Sequence, residues 1–192
     1  KYIYKDIIRG VKNMEKSVFI TGATVNTGLG IAEKFAKEGY NLFLGSRNAE
    51  NAEKTAKELS EKYGVYAKGY GMKIFDEENT KEIFTDIKNS GYSVDTLVLN
   101  AANLGIRQQF FDVSIDDFMN VINTNIGWNF MLSREAAIQM KENGGGSIVF
   151  VNSNTAYRAI PDRIAYSASK SGALGMMRAL ALYLVKYNIR VN

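Results

Sequence analysis

The fold is decided by the stretch Ser17-Val-Phe-Ile-Thr21-Gly22-Ala-Thr-Val-Asn-Thr-Gly28-Leu-Gly30, in which a short apolar run leads directly into a glycine-rich turn and then a helical pattern. Glycines at a strand-to-helix turn let a pyrophosphate approach the backbone, and the free N–H groups and positive dipole end of the helix favour that anion. An ordinary glycine turn is the alternative interpretation of this stretch by itself. In a nucleotide-binding turn, the residues expected to contact the phosphates are Gly22, Thr24, Gly28, Leu29 and Gly30.

From residue 14 onward, short apolar runs alternate with longer helical patterns. Strands are predicted over residues 17–21, 41–46, 65–70, 96–100, 147–153 and 189–192, and helices over 30–38, 49–62, 77–90, 114–142 and 163–187. The segment Ser114-Ile-Asp-Asp117 has the form of a capping box. Strands such as Ser147-Ile-Val-Phe-Val151 are apolar on both faces, as a parallel sheet covered by helices requires. The alternation predicts an α/β fold: a three-layer, doubly wound parallel sheet of the Rossmann type that binds NAD(P).

Composition narrows the chemistry. The 192 residues include no His and no Cys, which excludes histidine-dependent triads, cysteine nucleophiles and the common zinc sites, so no metal site is expected. The net charge of +4 comes from Lys interspersed with Glu along helix faces, and we therefore expect no nucleic-acid partner. No apolar run approaches the ~18 residues of a membrane span, so we expect no membrane partner and a cytoplasmic location.

The length fits one domain with a single sizeable core. We expect the domain to occupy residues 14–192, with residues 1–13 as an N-terminal extension. The chain ends at Arg190-Val191-Asn192, in the middle of a predicted strand, so we also expect the domain to lack its C-terminal segment.

Three polar residues form a candidate proton-handling site. Tyr166 and Lys170 are four residues apart at the start of a predicted helix, which places both side chains on one face. A phenol is a weak base at neutral pH, and a neighbouring ammonium favours its deprotonated form. Ser153, at the end of the predicted strand 147–153, is placed to donate a hydrogen bond to a substrate oxygen. About one Tyr-x-x-x-Lys pair is expected by chance in this chain, and a Ser at a strand end often hydrogen-bonds only to backbone groups. These residues therefore indicate a catalytic site only because they occur together with the glycine turn.

The second predicted strand ends in Gly45-Ser46-Arg47. An acidic residue at this place binds the ribose 2′-hydroxyl of NAD, whereas Arg47 with Ser46 beside it favours a 2′-phosphate. We therefore expect NADP, as NADPH, rather than NAD. A surface Arg that precedes a helix is the alternative interpretation.

Together these motifs resemble the short-chain dehydrogenase/reductase superfamily over about residues 17–192. The resemblance rests on Thr21-Gly22…Gly28-Leu-Gly30, Asn100-Ala101-Ala102, Asn125, Ser153, Tyr166-x-x-x-Lys170 and the closing Ile-Arg-Val-Asn. It implies that Tyr166 exchanges a proton with a carbonyl or alcohol oxygen, and that Lys170 promotes this exchange and binds the nicotinamide ribose. It implies that Ser153 positions the substrate.

The resemblance also assigns roles to the asparagines. Asn125 would hold a water that relays protons to Lys170, and the backbone of Asn100, Ala101 and Ala102 would border the cofactor. Without the resemblance, the favoured interpretation of Asn125 is an amide side chain that packs within a helix.

Three departures from the family pattern stand out. Five residues separate Gly22 from Gly28, where three are usual; Met72-Lys73 stands where an Asp usually binds adenine; and Asn103 replaces the usual Gly. We expect the cofactor orientation to be kept and the phosphate contacts to differ. We expect adenine to be bound by backbone alone, and the turn at Asn103 to be narrowed.

The substrate side is less defined. Loop 104–112, with Phe110 and Phe111, and loop 154–160, with Tyr157 and Arg158, are expected to border the pocket because they follow strand ends. Their character suits a hydrophobic or medium-sized carbonyl compound, although core packing explains the two Phe equally well.

The function that these expectations support is an NADP-dependent oxidoreductase that interconverts a ketone and a secondary alcohol. Candidate substrates are 3-oxoacyl thioesters, steroids and polyols. The alternatives are a nucleotide-sugar epimerase or dehydratase, which shares the Tyr-x-x-x-Lys pair, and a non-catalytic dinucleotide-sensing protein. The resemblance further implies a homodimer or homotetramer, built partly through the fourth and fifth predicted helices.

Overall fold

The structure, a computed structural model, describes residues 16–192. The predicted extension over residues 1–13 lies outside the described residues. Within the described range, no helix is both long enough and apolar enough to cross a bilayer.

Six strands form one parallel sheet: β1 Ser17–Thr21, β2 Asn41–Ser46, β3 Ala67–Gly71, β4 Thr96–Leu99, β5 Gly146–Phe150 and β6 Ile189–Val191. Their order is β3-β2-β1-β4-β5-β6, and every neighbouring pair runs parallel. The order reverses between β1 and β4, which is where open α/β sheets bind ligands. The predicted doubly wound, Rossmann-type sheet is confirmed.

Six α-helices connect the strands: α1 Asn26–Lys37, α2 Ala49–Tyr63, α3 Glu77–Asn89, α4 Ile115–Ile122, α5 Asn129–Glu142 and α6 Ile164–Leu184. The predicted helix start at Ser114 is confirmed, because Ser114 Oγ accepts the N–H of Asp117 at 3.0 Å; the Asp117 carboxylate accepts from the Ser114 hydroxyl at 2.8 Å instead of from its backbone N–H. The single helix predicted over 114–142 is wrong in one respect: a π-helical turn, Asn123–Trp128, separates α4 from α5. The helix predicted over 163–187 ends at Leu184 and continues as the 3-10 turn Val185–Tyr187.

The core consists of two apolar layers, one on each face of the sheet. Alternate strand residues supply them: Phe19, Phe43, Leu97 and Ile148 on one face, and Val18, Ile20, Leu42, Leu44 and Val98 on the other. Helices α3, α5 and α6 cover the first face, and the alanines of α1 and α2 cover the second. This explains why the strands are apolar on both sides.

Several predicted boundaries are wrong by a few residues because side chains intercept backbone groups. Strand β4 ends at Leu99, since the N–H groups of Asn100 and Ala101 donate to the side-chain oxygen Thr21 Oγ1 of β1 rather than to a backbone carbonyl. Strand β3 begins at Ala67, since the Tyr66 N–H donates to Asn41 Oδ1. Strand β5 ends at Phe150, three residues before Ser153.

Candidate active site

A cleft of about 1010 Å³ opens at the carboxyl ends of the strands. It extends from the ends of β2 and β3, across the glycine turn after β1, to the first turns of α6. Among the described residues that line it, Arg47 and Lys170 carry positive charge and none carries a carboxylate. The cleft therefore suits an elongated anionic ligand.

The glycine turn is held by the strand next to it. Asn100 Nδ2 donates to the carbonyls of Thr21 and Gly22, at 3.0 and 3.2 Å, and Gly22 adopts a left-handed φ of +64°. A Cβ on Gly28 would lie 2.0 Å from the Gly22 carbonyl oxygen, so that no side chain fits. The backbone at the start of α1 is therefore exposed to the cleft, where its first N–H groups can meet an anion.

The predicted phosphate-contacting residues do not all lie in the cleft. Gly22, Thr24 and Gly28 line it, whereas Leu29 packs against the apolar core and Gly30 is exposed with open space around its Cα. The two extra residues between Gly22 and Gly28 are accommodated because α1 begins at Asn26 rather than at the predicted residue 30. The Leu29 N–H donates to the Val25 carbonyl at 3.2 Å and starts this earlier turn.

Ser46 and Arg47 line the cleft at the end of β2. Ser46 Oγ accepts hydrogen bonds from Thr24 Oγ1 and from the Asn48 N–H, both at 3.4 Å. Arg47 is exposed and makes no ion pair within residues 16–192. Its guanidinium is thus available to a phosphate on a bound ligand.

At the opposite end of the cleft, α6 brings Tyr166 and Lys170 together. Lys170 is buried, with an exposed fraction of 6%, and its Nζ donates to the Val151 carbonyl at 2.9 Å and lies 5.7 Å from the centroid of the Tyr166 ring. Burial lowers the pKa of the Lys170 ammonium below its ordinary value. Both side chains line the cleft, so a phenol and a partly desolvated amine face the same space.

Ser153 follows β5 and caps the 3-10 turn Asn154–Ala156. Its Oγ accepts the Thr155 N–H at 3.2 Å and lies 3.5 Å from Asn154 Oδ1. Ser153 is next to Asn152, which lines the cleft, although Ser153 does not line it itself. The cap uses a lone pair of the hydroxyl oxygen, whereas the hydroxyl proton is donated to Asn154 Oδ1 over 3.5 Å, a weak bond that a closer acceptor would replace.

Asn125 is 1% exposed and lies in the π-helical turn. Its Oδ1 accepts the Asn103 N–H at 2.7 Å, and its Nδ2 donates to the Asn103 carbonyl at 2.8 Å and to Ser169 Oγ at 2.9 Å. Its own carbonyl accepts a hydrogen bond from Asn129 Nδ2 at 2.8 Å. The amide thus ties the Asn103 backbone, which lines the cleft, to the helix that carries Tyr166.

The geometry is that of a dinucleotide site next to a Tyr/Lys pair, and a family model described as short chain dehydrogenase matches residues 16–192. The chain belongs to the short-chain dehydrogenase/reductase family. 3-Oxoacyl-[acyl-carrier-protein] reductase FabG of Aquifex aeolicus is 31% identical over 184 residues, which cover 95% of this chain and 73% of that protein.

Two solved structures of the family are also similar. L-Sorbose reductase from Gluconobacter frateurii, complexed with NADPH and L-sorbose, has a TM-score of 0.88 and 28% identity over 92% of this chain and 67% of that one. A 7α-hydroxysteroid dehydrogenase, complexed with NADH and 7-oxo glycochenodeoxycholic acid, has a TM-score of 0.85 and 32% identity. The match covers 92% of this chain and 68% of that one. The chain spans between 63% and 73% of the length of curated relatives that it matches.

Where the chain departs from the family pattern, the structure supplies a different side chain. Asn103 Oδ1 accepts the Gly105 N–H at 2.9 Å and closes a local turn at the cleft wall. Met72 is buried at the end of β3, and the backbone N–H of Lys73 donates to Asn79 Oδ1, so neither presents a carboxylate. Ala101 and Ala102 line the cleft as predicted, beside Asn100.

The substrate loops are less enclosed than the sequence suggests. Phe110 and Phe111 are 65% and 93% exposed, so core packing does not account for them, and Tyr157 and Arg158 are exposed as well. Of loop 104–112, only Leu104 and Gly105 line the large cleft.

Sequence reasoning missed several residues that line the cleft, among them Ile74, Phe75, Trp128 and Asn152. Asn152 could have been found from its place beside Ser153. The others come from a loop and a π-turn that no periodicity marks.

Proposed function

We propose that this chain is an NADP-dependent oxidoreductase that interconverts ketones and secondary alcohols. The observation that carries the proposal is one cleft that joins the glycine turn to the half-buried Tyr166 and the buried Lys170. When bound, a nicotinamide dinucleotide supplies or accepts the hydride. The chain supplies the binding groups and the proton.

The cleft fits such a dinucleotide. The side-chain-free contact between Gly28 and Gly22 exposes N–H groups to a pyrophosphate, and the lining holds two cations and no carboxylate. The residues that would hold the dinucleotide are Gly22, Thr24, Gly28, Ser46, Arg47, Asn100, Ala101, Ala102, Tyr166 and Lys170.

Tyr166 is the group proposed to exchange a proton with the substrate oxygen. Lys170 is proposed to favour loss of that proton, because its ammonium is held beside the phenol by the Val151 carbonyl. Ser153 would donate its hydroxyl proton, which makes only a long 3.5 Å bond to Asn154 Oδ1, to the same substrate oxygen. A positioned acid or base of this kind contributes typically ~10²–10⁴-fold in rate.

We propose that Asn125 mainly holds the Asn103 backbone in place beside the helix that carries Tyr166. Its side chain is fully occupied by Asn103 and Ser169, so a relay of protons through Asn125 would have to pass by its backbone carbonyl. That carbonyl already accepts from Asn129 and has one lone pair left for a water.

The preference for NADP rests on Arg47. Its guanidinium is exposed at the end of β2, and none of the described residues around the cleft places a carboxylate that would repel a 2′-phosphate. Planar guanidinium groups recognise phosphates in a bidentate fashion.

The substrate class is a ketone or secondary alcohol. The Aquifex relative is named as a 3-oxoacyl reductase, and the two similar structures contain L-sorbose and a 7-oxo bile acid. These three compounds, a 3-oxoacyl thioester, a ketose and an oxo-steroid, are the first panel to test.

We also propose a homo-oligomer. Helices α5 and α6 leave large apolar side chains exposed, among them Phe130 at 47% and Leu182 at 82%. Light scattering on the wild type and on Leu182→Asp checks this: we expect a dimer or tetramer that the variant weakens, and a monomeric wild type would contradict it.

The catalytic proposal is tested by NADPH oxidation with the carbonyl panel, for the wild type, Tyr166→Phe and the control Tyr63→Phe. We expect Tyr166→Phe to lose about 10²-fold or more in kcat while it still binds NADPH. Tyr63→Phe, on α2 far from the cleft, should match the wild type. Undiminished turnover in Tyr166→Phe would refute the assignment.

A further inference from the structure

Phe75 has an unusual backbone for an aromatic residue. It follows β3 with a φ of +58°, the left-handed region that bulky side chains rarely adopt. Its ring lies against Gly127 in the π-helical turn, where a Cβ on Gly127 would come 2.5 Å from Phe75 Cε2. The ring therefore fits only because residue 127 is a glycine without a side chain. The Phe75 residue is still 42% exposed.

The exposed part of Phe75 belongs to the cleft. Phe75, Ile74 and Met72 line it at the end of β3, and the Met72 N–H donates to the Ser46 carbonyl at 2.8 Å, which joins this apolar wall to the strand that carries Arg47. Exposed apolar side chains inside a cleft are typical of a ligand-contacting wall.

The sheet order fixes which part of an elongated ligand meets this wall. Strands β2 and β3 lie on one side of the glycine turn, whereas β5 and the Tyr166/Lys170 pair lie on the other. A dinucleotide with its pyrophosphate at the turn and its reactive ring at Tyr166 therefore extends its adenosine half over β2 and β3.

The wall offers aromatic and aliphatic surface, from Phe75 and Ile74, but no side-chain hydrogen-bonding group. Met72 is buried behind them, and the family's adenine-binding carboxylate is absent. A purine is recognised at such a surface by its π face, since base–aromatic stacking needs no specific hydrogen bond.

We infer that the Phe75 ring is the platform on which the adenine ring of the dinucleotide stacks, in place of recognition by a side-chain carboxylate. This inference rests on the proposed function, because it assumes that a nicotinamide dinucleotide occupies the cleft. It makes Phe75 a determinant of cofactor affinity and not of the proton chemistry.

Trp128 provides the readout. It is the only Trp of the chain and lines the same cleft, one residue after Gly127. Its indole N–H is buried and finds no acceptor within residues 16–192. Energy transfer to a bound reduced nicotinamide should quench its emission, so NADPH is titrated directly and other compounds are measured by displacing it.

The experiment compares wild type, Phe75→Leu, Phe75→Tyr and the control Phe111→Leu. Each is titrated with NADPH and then with three fragments: 2′,5′-ADP and AMP, which carry adenine, and nicotinamide mononucleotide, which does not. Phe75→Leu keeps an apolar side chain but loses the aromatic face, Phe75→Tyr keeps the face, and Phe111 lies outside the cleft at 93% exposure.

We expect Phe75→Leu to weaken binding of NADPH, 2′,5′-ADP and AMP by a common factor of about 5- to 150-fold, the range for loss of one stacking contact. Binding of nicotinamide mononucleotide to Phe75→Leu should stay unchanged, and Phe75→Tyr and Phe111→Leu should bind all the ligands like the wild type.

Adenine-fragment affinities in Phe75→Leu within about twofold of the wild type would overturn the stacking inference and leave the proposed function intact. An equal loss for nicotinamide mononucleotide would also overturn it, because that result indicates a general distortion of the cleft. If Phe75→Leu does not fold, Phe75→Tyr must still bind normally and Phe75→Asn, which tolerates the left-handed backbone, must show the selective loss. A wild type that does not bind NADPH would refute the proposed function and this inference together.

Discussion

Replacement of Asn125 by Leu tests how the cleft is held together. The side chain is buried and makes three hydrogen bonds, two to the backbone of Asn103 and one to Ser169 Oγ, at 2.7–2.9 Å. Leu has nearly the same volume but can make none of them. The substitution therefore leaves the Asn103 N–H and carbonyl without their partner.

The expected cost follows from those contacts. An unpaired buried donor or acceptor costs about 1–3 kcal/mol. Ser169 Oγ loses little, because it still donates to the Tyr166 carbonyl at 2.8 Å. Since Asn103 is only partly buried, the two backbone groups should cost about 2–4 kcal/mol, and the added apolar burial should offset about 1 kcal/mol. We therefore expect a net loss of about 1–3 kcal/mol in the free energy of unfolding.

The measurement is urea unfolding followed by circular dichroism. The matched control is Asn123→Leu, in the same π-turn, because Asn123 makes no side-chain hydrogen bond within residues 16–192. We expect the control to stay within about 0.5 kcal/mol of the wild type. NADPH should also bind more weakly to Asn125→Leu than to the wild type, because Asn103 lines the cleft. If Asn125→Leu unfolds like the control and only kcat falls, the positional role is wrong and a relay role is favoured.

Three further predictions concern the ends of the cleft. Gly28→Ala should abolish the thermal stabilisation of the protein by NADPH, since the new Cβ would lie 2.0 Å from the Gly22 carbonyl oxygen. Gly30→Ala should retain this stabilisation, since a Cβ at that position meets open space. Equal behaviour of the two variants would refute phosphate binding at the glycine turn. Arg47→Asp should raise the Kd for NADPH at least tenfold and spare NADH; a parallel loss for both nucleotides, measured by Trp fluorescence, would contradict the role of Arg47. Burial lowers the folded-state pKa of Lys170. The ammonium therefore destabilises the fold below that pKa, and the penalty disappears as pH rises toward the unfolded value of about 10.4. Lys170→Met should accordingly gain more stability over the wild type at pH 7 than at pH 10.5, and an unfolding difference that does not change with pH would refute this.

The sequence predicts the sheet and both ends of the cleft because these depend on local patterns. Apolar runs and helical periodicity locate the six strands and most helices to within a few residues, although they predict α4 and α5 as one helix. The glycine turn marks one wall, and the i, i+4 spacing places Tyr166 and Lys170 on the same face of α6.

What the sequence does not predict depends on contacts between distant residues. The end of β4 at Leu99 and the binding of the Asn103 backbone by Asn125 are each set by hydrogen bonds between residues far apart in the sequence, which no local pattern encodes. The π-turn and the left-handed Phe75 form a matched pair, because the ring fits only where Gly127 has no side chain. Neither position is exceptional when it is considered by itself.

The central claim is that the Tyr166 hydroxyl meets the substrate oxygen beside the bound nicotinamide. The most direct measurement is a crystal structure of this chain with NADPH and a ketone from the panel, or with NADP and its alcohol. The account predicts that Tyr166 Oη lies within about 2.6–3.2 Å of the substrate oxygen, with Lys170 Nζ near the nicotinamide ribose. A phenol that points away from the substrate in every copy would contradict it.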